Sequence, residues 1–312
     1  MDISVVIVAW KAKHYLELCL QSLADAPPRR SMEVLVVDNA SDDGTVEMVE
    51  SKFPWVKLIK SAENLGFSKG NNVAIRQCQG RYVALVNPDV IVFPGCLDAL
   101  ADFLDQNPKV GNVGPRVFEP DMSMQSTCRR FPNLWNNFTD ATGLATRFKG
   151  SRFFAGEHMF YFPHDRTIKV DVIVGCFSFI RREALDAVGL LDEKLFMYGD
   201  DVDWCRRCWR AGWEVVFYPG ARAIHDRGKT TAPYPVRFAL AQQRSILYYW
   251  SKYHTIFGRL GIRTMMIFRH LMRYTVGALS GLMHSQVRAQ GDVRKQVSGA
   301  CLRELILGSA PQ

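Results

Sequence analysis

Apolar positions follow two rhythms over the first two thirds of the chain. Residues 3–10 (ISVVIVAW) are apolar and mostly β-branched without alternation, the pattern of a strand buried on both faces. Residues 15–23 (YLELCLQSL) then change to helical spacing. The same exchange recurs: residues 33–38 (EVLVVD) predict a strand, 46–53 a helix, 56–60 a strand, 71–78 a helix and 82–87 (YVALVN) a strand. Alternation of this kind predicts an α/β fold, doubly wound, with a mostly parallel sheet and helices on both faces. Ligands of such sheets bind beyond the carboxyl ends of the strands.

The rhythm fails over residues 119–170, which hold Pro, Phe, Asn and Arg without a period. This predicts a long connection that covers a site. Residues 170–180 predict one further strand, residues from Arg182 a helix, and 214–219 (EVVFYP) a last strand. From Val236 onward the pattern is helical. In residues 259–282, Arg259, Arg263, Arg269, His270 and Arg273 fall within about a third of a turn, with Phe257, Met265, Phe268, Met272 and Leu279 opposite. These rhythms divide the chain into a catalytic-sized region at 1–235 and a basic amphipathic helical extension at 236–312.

Charge sharpens that division. The 312 residues carry a net charge of +8. Residues 236–312 hold 11 Lys and Arg against 2 Asp and Glu, leaving 28 against 29 for everything before them. The basic excess is therefore confined to the extension, which suits an anionic surface. No uncharged run there reaches bilayer length, so a spanning helix is not expected. An Arg-rich helix lying in a membrane interface fits the pattern, as does a helix packed on its own domain with a solvated basic face. Met1-Asp2 runs straight into the first strand without a positively charged leader, and the eight cysteines are scattered. Together these read as a cytosolic chain with reduced thiols. The Cys205/Cys208 spacing fits burial on one helix face better than a metal site.

Three polar stretches interrupt the apolar pattern, two of them where strands should end. In VVDNASDDGT (36–45), Asp38 stands at the strand tip, before the residues that can cap the next helix. A carboxylate there can accept a hydrogen bond from a base or a ribose. In LVNPDVIV (85–92), Asn87 and Asp89 flank a rigid proline. Their oxygens suit a hard divalent cation, and an Asx-turn explains them equally. Between them, NLGFSKGNN (64–72) carries Gly66 and Gly70 at a helix start, which could bring backbone N–H groups to an anion. A fourth stretch, YGDDVDWCRR (198–207), crowds Asp200, Asp201 and Asp203 together. Asp203 has arginines at i+3 and i+4, and Asp200 can cap the helix. Asp201 is left with no local structural task.

In this order the four stretches, continuing through residues 175–225, resemble the family 2 glycosyltransferases. Within them they are most similar to bacterial rhamnosyltransferase-type enzymes that build surface polysaccharides. The resemblance covers roughly residues 3–230. It implies a GT-A fold, a nucleotide-diphosphate-sugar donor and an inverting transfer, plausibly of rhamnose from dTDP-rhamnose to a lipid-linked saccharide or glycan acceptor. It implies nucleotide contacts from Ala9, Asp38, Asn64, Gly66, Lys69 and Asn87. It implies a divalent metal, Mg²⁺ or Mn²⁺, at Asp89 and His225, with Asp201 as catalytic base. Arg129 and Arg130, in a stretch like the family's RRFP, and Asp200 would contact acceptor or phosphate. Two departures stand out: Asp200 replaces a common Glu, and Asn87 leaves one carboxylate for the metal. AQQRSILYYW (241–250) does not supply the QxxRW element of processive members, so one sugar per encounter is expected. The expected place is the inner face of the cell membrane, as a peripheral protein, with no nucleic-acid partner. The rival readings are a nucleotidyltransferase acting on sugar phosphates and a non-catalytic nucleotide- or nucleic-acid-binding module.

Overall fold

The computed structural model describes residues 1–228, 231–280 and 285–308. In chain order its elements are β1 (Ile3–Ala9), α1 (Lys13–Asp25), β2 (Met32–Asp38), α2 (Thr45–Lys52), β3 (Lys57–Lys60), α3 (Gly66–Ile75), β4 (Tyr82–Val86), β5 (Val90–Val92) and α4 (Cys96–Gln106). There follow β6 (Val110–Phe118), β7 (Cys128–Arg129), α5 (Leu134–Ala141), α6 (Leu144–Arg147), β8 (Ile168–Lys169), β9 (Val172–Ile173) and β10 (Phe177–Arg181). The chain ends with α7 (Arg182–Val188), α8 (Asp200–Arg210), β11 (Glu214–His225), α9 (Pro235–Tyr253), α10 (Ile256–Ser280) and α11 (Ser285–Leu307).

These elements form two units. The first comprises Met1–Phe131, His158–Phe196 and Asp200–Thr230. It is built on a sheet in the order β3-β2-β1-β4-β10-β6-β11-β5, with β8 on β11. β1, β2, β3 and β4 are parallel, and β10 runs antiparallel between β4 and β6. Every residue of β1 is buried because alternate side chains enter opposite layers. Ile3, Val5 and Ile7 pack in the cluster that holds residues of α1, α2 and α4. Val6 and Val8 pack in the one that holds residues of α3, α7 and α8. The sheet grows in both directions from β1, so strand order reverses between β1 and β4, where α/β sheets open a ligand crevice.

The second unit comprises Pro132–Glu157, Met197–Gly199 and Thr231–Gln312. The sequence places the division at 235/236; the structure adds part of the aperiodic connection to the helical unit. The reason is local packing: a Cβ at Gly261 of α10 would meet Leu134 Cδ2 of α5 at 3.0 Å. α10 is oriented in a way the sequence does not reveal. Ile262, Met266, Gly277 and Ser280 are its buried residues, and they lie on the same side as Arg259, Arg263, Arg269, His270 and Arg273. The opposite, apolar side is exposed: Phe257 is 80% and Leu279 65% accessible. The buried strip thus lies on the basic side of the helix, although Arg259, Arg263 and Arg273 themselves remain exposed. Arg263 donates to the carbonyl of Leu305 in α11. The expected helix end at Leu282 lies outside the described residues. Among the described residues no helix is long and apolar enough to cross a membrane.

The single strand expected at 170–180 is broken into β9 and β10 by a turn at Gly175-Cys176. The Gly175 N–H is spent on Asp201 rather than on a sheet neighbour. Glycines at the α3 start also have structural causes. Gly66 has φ +77°, and a Cβ there would lie 2.4 Å from the Phe196 carbonyl oxygen. A Cβ at Gly70 would lie 2.9 Å from Val8 Cγ1. The bare sides of both glycines face protein, not open space for a ligand. Gly66→Ala is expected to destabilise the first unit by at least about 2 kcal/mol through left-handed strain and the clash. A urea midpoint unchanged from wild type would contradict this account.

Candidate active site

The carboxyl ends of the parallel strands gather most of the sequence-selected residues on one edge of the first unit. Ala9 ends β1 and pairs in register with Asp38, which ends β2. Asp38 is 2% exposed. Its Oδ2 accepts from the Ser41 N–H at 3.1 Å, while its Oδ1 is buried without a partner among the described residues. Asn39 donates through Nδ2 to the Gly66 carbonyl at 3.0 Å, and its Oδ1 is likewise unpartnered. Two buried acceptors therefore occupy adjacent positions at the strand tip, and each suits a ligand N–H or O–H donor. Asn39 was not singled out in the sequence, because an Asn after a strand reads as turn chemistry.

The other nucleotide candidates divide. Asn64 accepts the Gly66 N–H through Oδ1 at 2.9 Å, so its side chain closes the turn into α3. Gly66 is held by packing as described above. Lys69 is exposed, with its ammonium 4.0 Å from Glu63, and it is available to an anion. Asn87 follows β4 and donates its N–H to the Cys176 carbonyl at 3.0 Å.

Asp89 and His225 meet. β5 and β11 pair antiparallel with His225 opposite Val90, which sets His225 Nε2 3.2 Å from Asp89 Oδ1. On the other side of the ring, Nδ1 lies 2.8 Å from Gln125 Oε1. Both nitrogens thus face acceptor oxygens, the setting of an imidazolium. Burial alone would push the imidazole down; the Cys176 sulfur and the Asp89 carboxylate outweigh it and raise it to about 10. Gln125 lies in the aperiodic connection, where no sequence signal marks it. As a metal site this donor set is sparse. It offers one carboxylate and one imidazole, and no group of three His, Cys, Asp or Glu able to hold a metal is present among the described residues. It fits a Mg²⁺- or Mn²⁺-type ion only where the ion displaces the Nε2 proton of His225 and a ligand's phosphate oxygens complete the shell.

Asp201 reaches this edge through the broken strand. The Asn87 N–H holds Cys176, and the adjoining Gly175 N–H donates to Asp201 Oδ2 at 2.9 Å. The Val202 N–H donates to Asp201 Oδ1 at 2.8 Å. Asp201 therefore does have a structural task, contrary to the sequence reading: it ties the start of α8 to the turn before β10. Asp203 is the salt-bridge residue expected, with Arg207 Nε 2.8 Å from its Oδ2. Asp200 is 6% exposed and lines, with Asp201, Asn112 and Trp204, a cavity of about 20 Å³. That is room for about one water. Burial and the neighbouring Asp201 charge raise the Asp200 carboxyl well above the usual range. Burial also raises Asp201, against the pull of the two N–H groups and Arg129. The two arginines separate. Arg129 Nη1 donates to the carbonyls of Ser126 and Cys128, each at 2.9 Å, and is fixed. Arg130 is exposed.

A raised folded-state pKa means that protonation stabilises the fold. The contribution of Asp200 is present below the unfolded value near 3.8 and is lost as pH rises toward the folded value. Asp200→Asn should therefore gain stability over wild type as pH rises from 4 to 8, by more than ~0.5 kcal/mol. Urea midpoints measured across that range test this; parallel curves for the two proteins would overturn it.

Residues 1–245 match the model of the family described as glycosyltransferase like family 2. An N-acetylglucosaminyl-diphospho-decaprenol L-rhamnosyltransferase of Mycobacterium tuberculosis is 29% identical over 298 residues, covering 86% of this chain and 94% of the relative. Among solved structures, a mannosyltransferase from Pyrobaculum calidifontis in complex with GDP-Man and Mn²⁺ superposes with a TM-score of 0.58 at 16% identity, over 99% of this chain and 88% of the other. Residues 1–349 of Staphylococcus aureus TarS do so with a TM-score of 0.53 at 15% identity, over 100% and 93%. The fold is that of the GT-A glycosyltransferases, and the chain belongs to glycosyltransferase family 2.

Proposed function

We propose that this glycosyltransferase carries out an inverting transfer of a deoxyhexose, rhamnose from a nucleoside-diphosphate donor, to a saccharide carried on a lipid diphosphate. The observation that carries the reading is the convergence of two sets of groups on one sheet edge. Unpartnered acceptors lie at Asp38 and Asn39, and a buried carboxylate lies at Asp201. The choice of sugar and acceptor is supported by the mycobacterial relative, an N-acetylglucosaminyl-diphospho-decaprenol L-rhamnosyltransferase that aligns over 94% of its length.

In this reading Asp38 and Asn39 accept hydrogen bonds from the base or ribose, and Lys69 meets phosphate. Asp201 takes the proton from the acceptor hydroxyl as that oxygen bonds to the anomeric carbon, and the nucleoside diphosphate departs from the opposite face. Its two backbone N–H contacts hold Asp201 oriented and favour its ionised form. A Mg²⁺ or Mn²⁺ ion at Asp89 and His225 would supply charge neutralisation for the leaving diphosphate. Arg130 and Asp200 stand as acceptor or phosphate contacts. Asp201→Asn should lower kcat by about 10²–10⁴-fold with a dTDP-rhamnose donor and a prenyl-diphosphate-linked N-acetylglucosamine acceptor. Retention of wild-type turnover would remove Asp201 from the role of base. EDTA should abolish activity and Mg²⁺ or Mn²⁺ restore it; full activity in EDTA would remove the metal.

The exposed apolar side of α10, together with the net positive charge of the extension, supports a peripheral seat on an anionic membrane at its cytoplasmic face. Phe257, Leu260, Phe268 and Leu271 are 80%, 56%, 48% and 49% exposed. The double variant Leu260→Gln/Leu271→Gln should float with anionic vesicles several-fold less than wild type. Equal flotation would place membrane binding elsewhere or nowhere.

A further inference from the structure

The helical unit contains a cavity of about 330 Å³, within the size range of small-molecule sites. Its charged wall is Arg269, His270 and Arg273 of α10 with Arg294 of α11, and Gln242 and Gln243 of α9 add amides. Its apolar wall includes Phe238, Ile246, Met266 and Val293. Among the described residues the three guanidiniums meet no carboxylate. The nearby acids of α11 do not answer them: Glu304 is committed to Arg244 at 2.8 Å, and Asp292 is exposed.

Like charges are crowded here, with Arg269 half-buried and Arg273 and Arg294 exposed. Burial, then the charges of Arg269 and Arg294, lower the Arg273 pKa. Burial, then Arg269 and Arg273, push His270 down to about 4. His270 Nδ1 and Gln243 Oε1 are both buried without partners among the described residues. Like charges gathered at a cavity wall with unspent polar groups ask for an anion. Planar guanidinium forks suit the paired oxygens of phosphates. An apolar wall in the same cavity asks that the anion carry hydrocarbon.

We infer that this cavity binds the diphosphate end of an amphiphile, with the phosphates on Arg269, Arg273 and Arg294 and the first carbons of an isoprenoid-type chain on Phe238, Met266 and Val293. The assignment rests on the lipid-linked-acceptor reading only for what the ligand would be in the cell. It would make the extension a head-group reader and not merely a charged tail.

The test is calorimetric titration of the full chain with farnesyl diphosphate, inorganic diphosphate and farnesol, with no sugar donor present. Farnesyl diphosphate is expected to bind at least about tenfold more tightly than either fragment, each of which lacks one wall's contacts. Inorganic diphosphate binding equally well would overturn the amphiphile assignment, and no binding of farnesyl diphosphate would overturn the site. These arms need no variant. Arg269→Gln/Arg294→Gln should weaken binding by about 30-fold or more, as charge-assisted contacts do. Arg259→Gln, on the same helix but off the cavity wall, should leave it unchanged. Equal loss in both would reveal diffuse charge attraction and overturn the site. Because no transfer is measured, this result is independent of whether the proposed donor and acceptor are correct.

Discussion

The hydrogen bond from the Gly175 N–H to Asp201, at 2.9 Å, is the contact on which the arrangement of the site depends. It interrupts what would be one continuous strand and fixes where β10 begins. It also anchors the first turn of α8 at the carboxyl edge of β4 through the neighbouring Cys176–Asn87 contact. Without it, a carboxylate more than a hundred residues from β4 in sequence would have no reason to stand near that strand's carboxyl end. The cost is electrostatic. Two adjacent aspartates are buried together, and both are pushed toward the protonated form. Asp201 offsets this with two N–H donors, while Asp200 receives less help. Burial thus raises both, and Asp201 has more N–H donors opposing the rise than Asp200.

The fold was legible where one physical effect dominates. Continuous β-branched runs can satisfy burial on both faces only inside a parallel sheet, and β1, β2 and β4 occupy those runs. Asp203 was legible because its partner Arg207 lies on the same helix. What sequence spacing does not contain is tertiary pairing. The Gln125–His225 contact spans a hundred residues, and Gln125 sits in a stretch with no period to mark it. Gly66 illustrates the same limit from the other side. A glycine at a helix start near a strand end reads as ligand space, yet the Phe196 carbonyl already fills it.

The extension shows how an amphipathic pattern leaves its orientation open: packing on its own domain with a solvated basic face would put the apolar side inward, and in the structure that side is outward. Period fixes that α10 has two faces, but not which of them meets protein. An apolar face normally turns inward because its burial is favourable. Here small and apolar residues interleaved with the arginines do the packing: Ile262, Met266, Gly277 and Ser280. A Cβ at Gly277 would lie 2.7 Å from the Gly291 carbonyl oxygen, so close approach of α10 to α11 selects the face. The basic side of α10 thereby borders α11, while Arg259, Arg263 and Arg273 stay exposed. Exposed Phe, Leu and Met on the other side are then a standing cost to an isolated chain in water.

That orientation bears on how the two features of the extension relate. Exposed arginines attract an anionic surface by long-range charge, which salt screens within about 10 Å. Arg269, Arg273 and Arg294 also line a cavity, where they can hold a phosphate at short range through charge-assisted hydrogen bonds. The outward apolar face can meanwhile lose its water only against hydrocarbon or another apolar surface. The two faces therefore call for different parts of one kind of environment, an apolar phase for the outside of α10 and a phosphate for its inside. A prenyl diphosphate in a membrane offers both, and for that reason one ligand class accounts for an orientation of α10 that neither face explains alone.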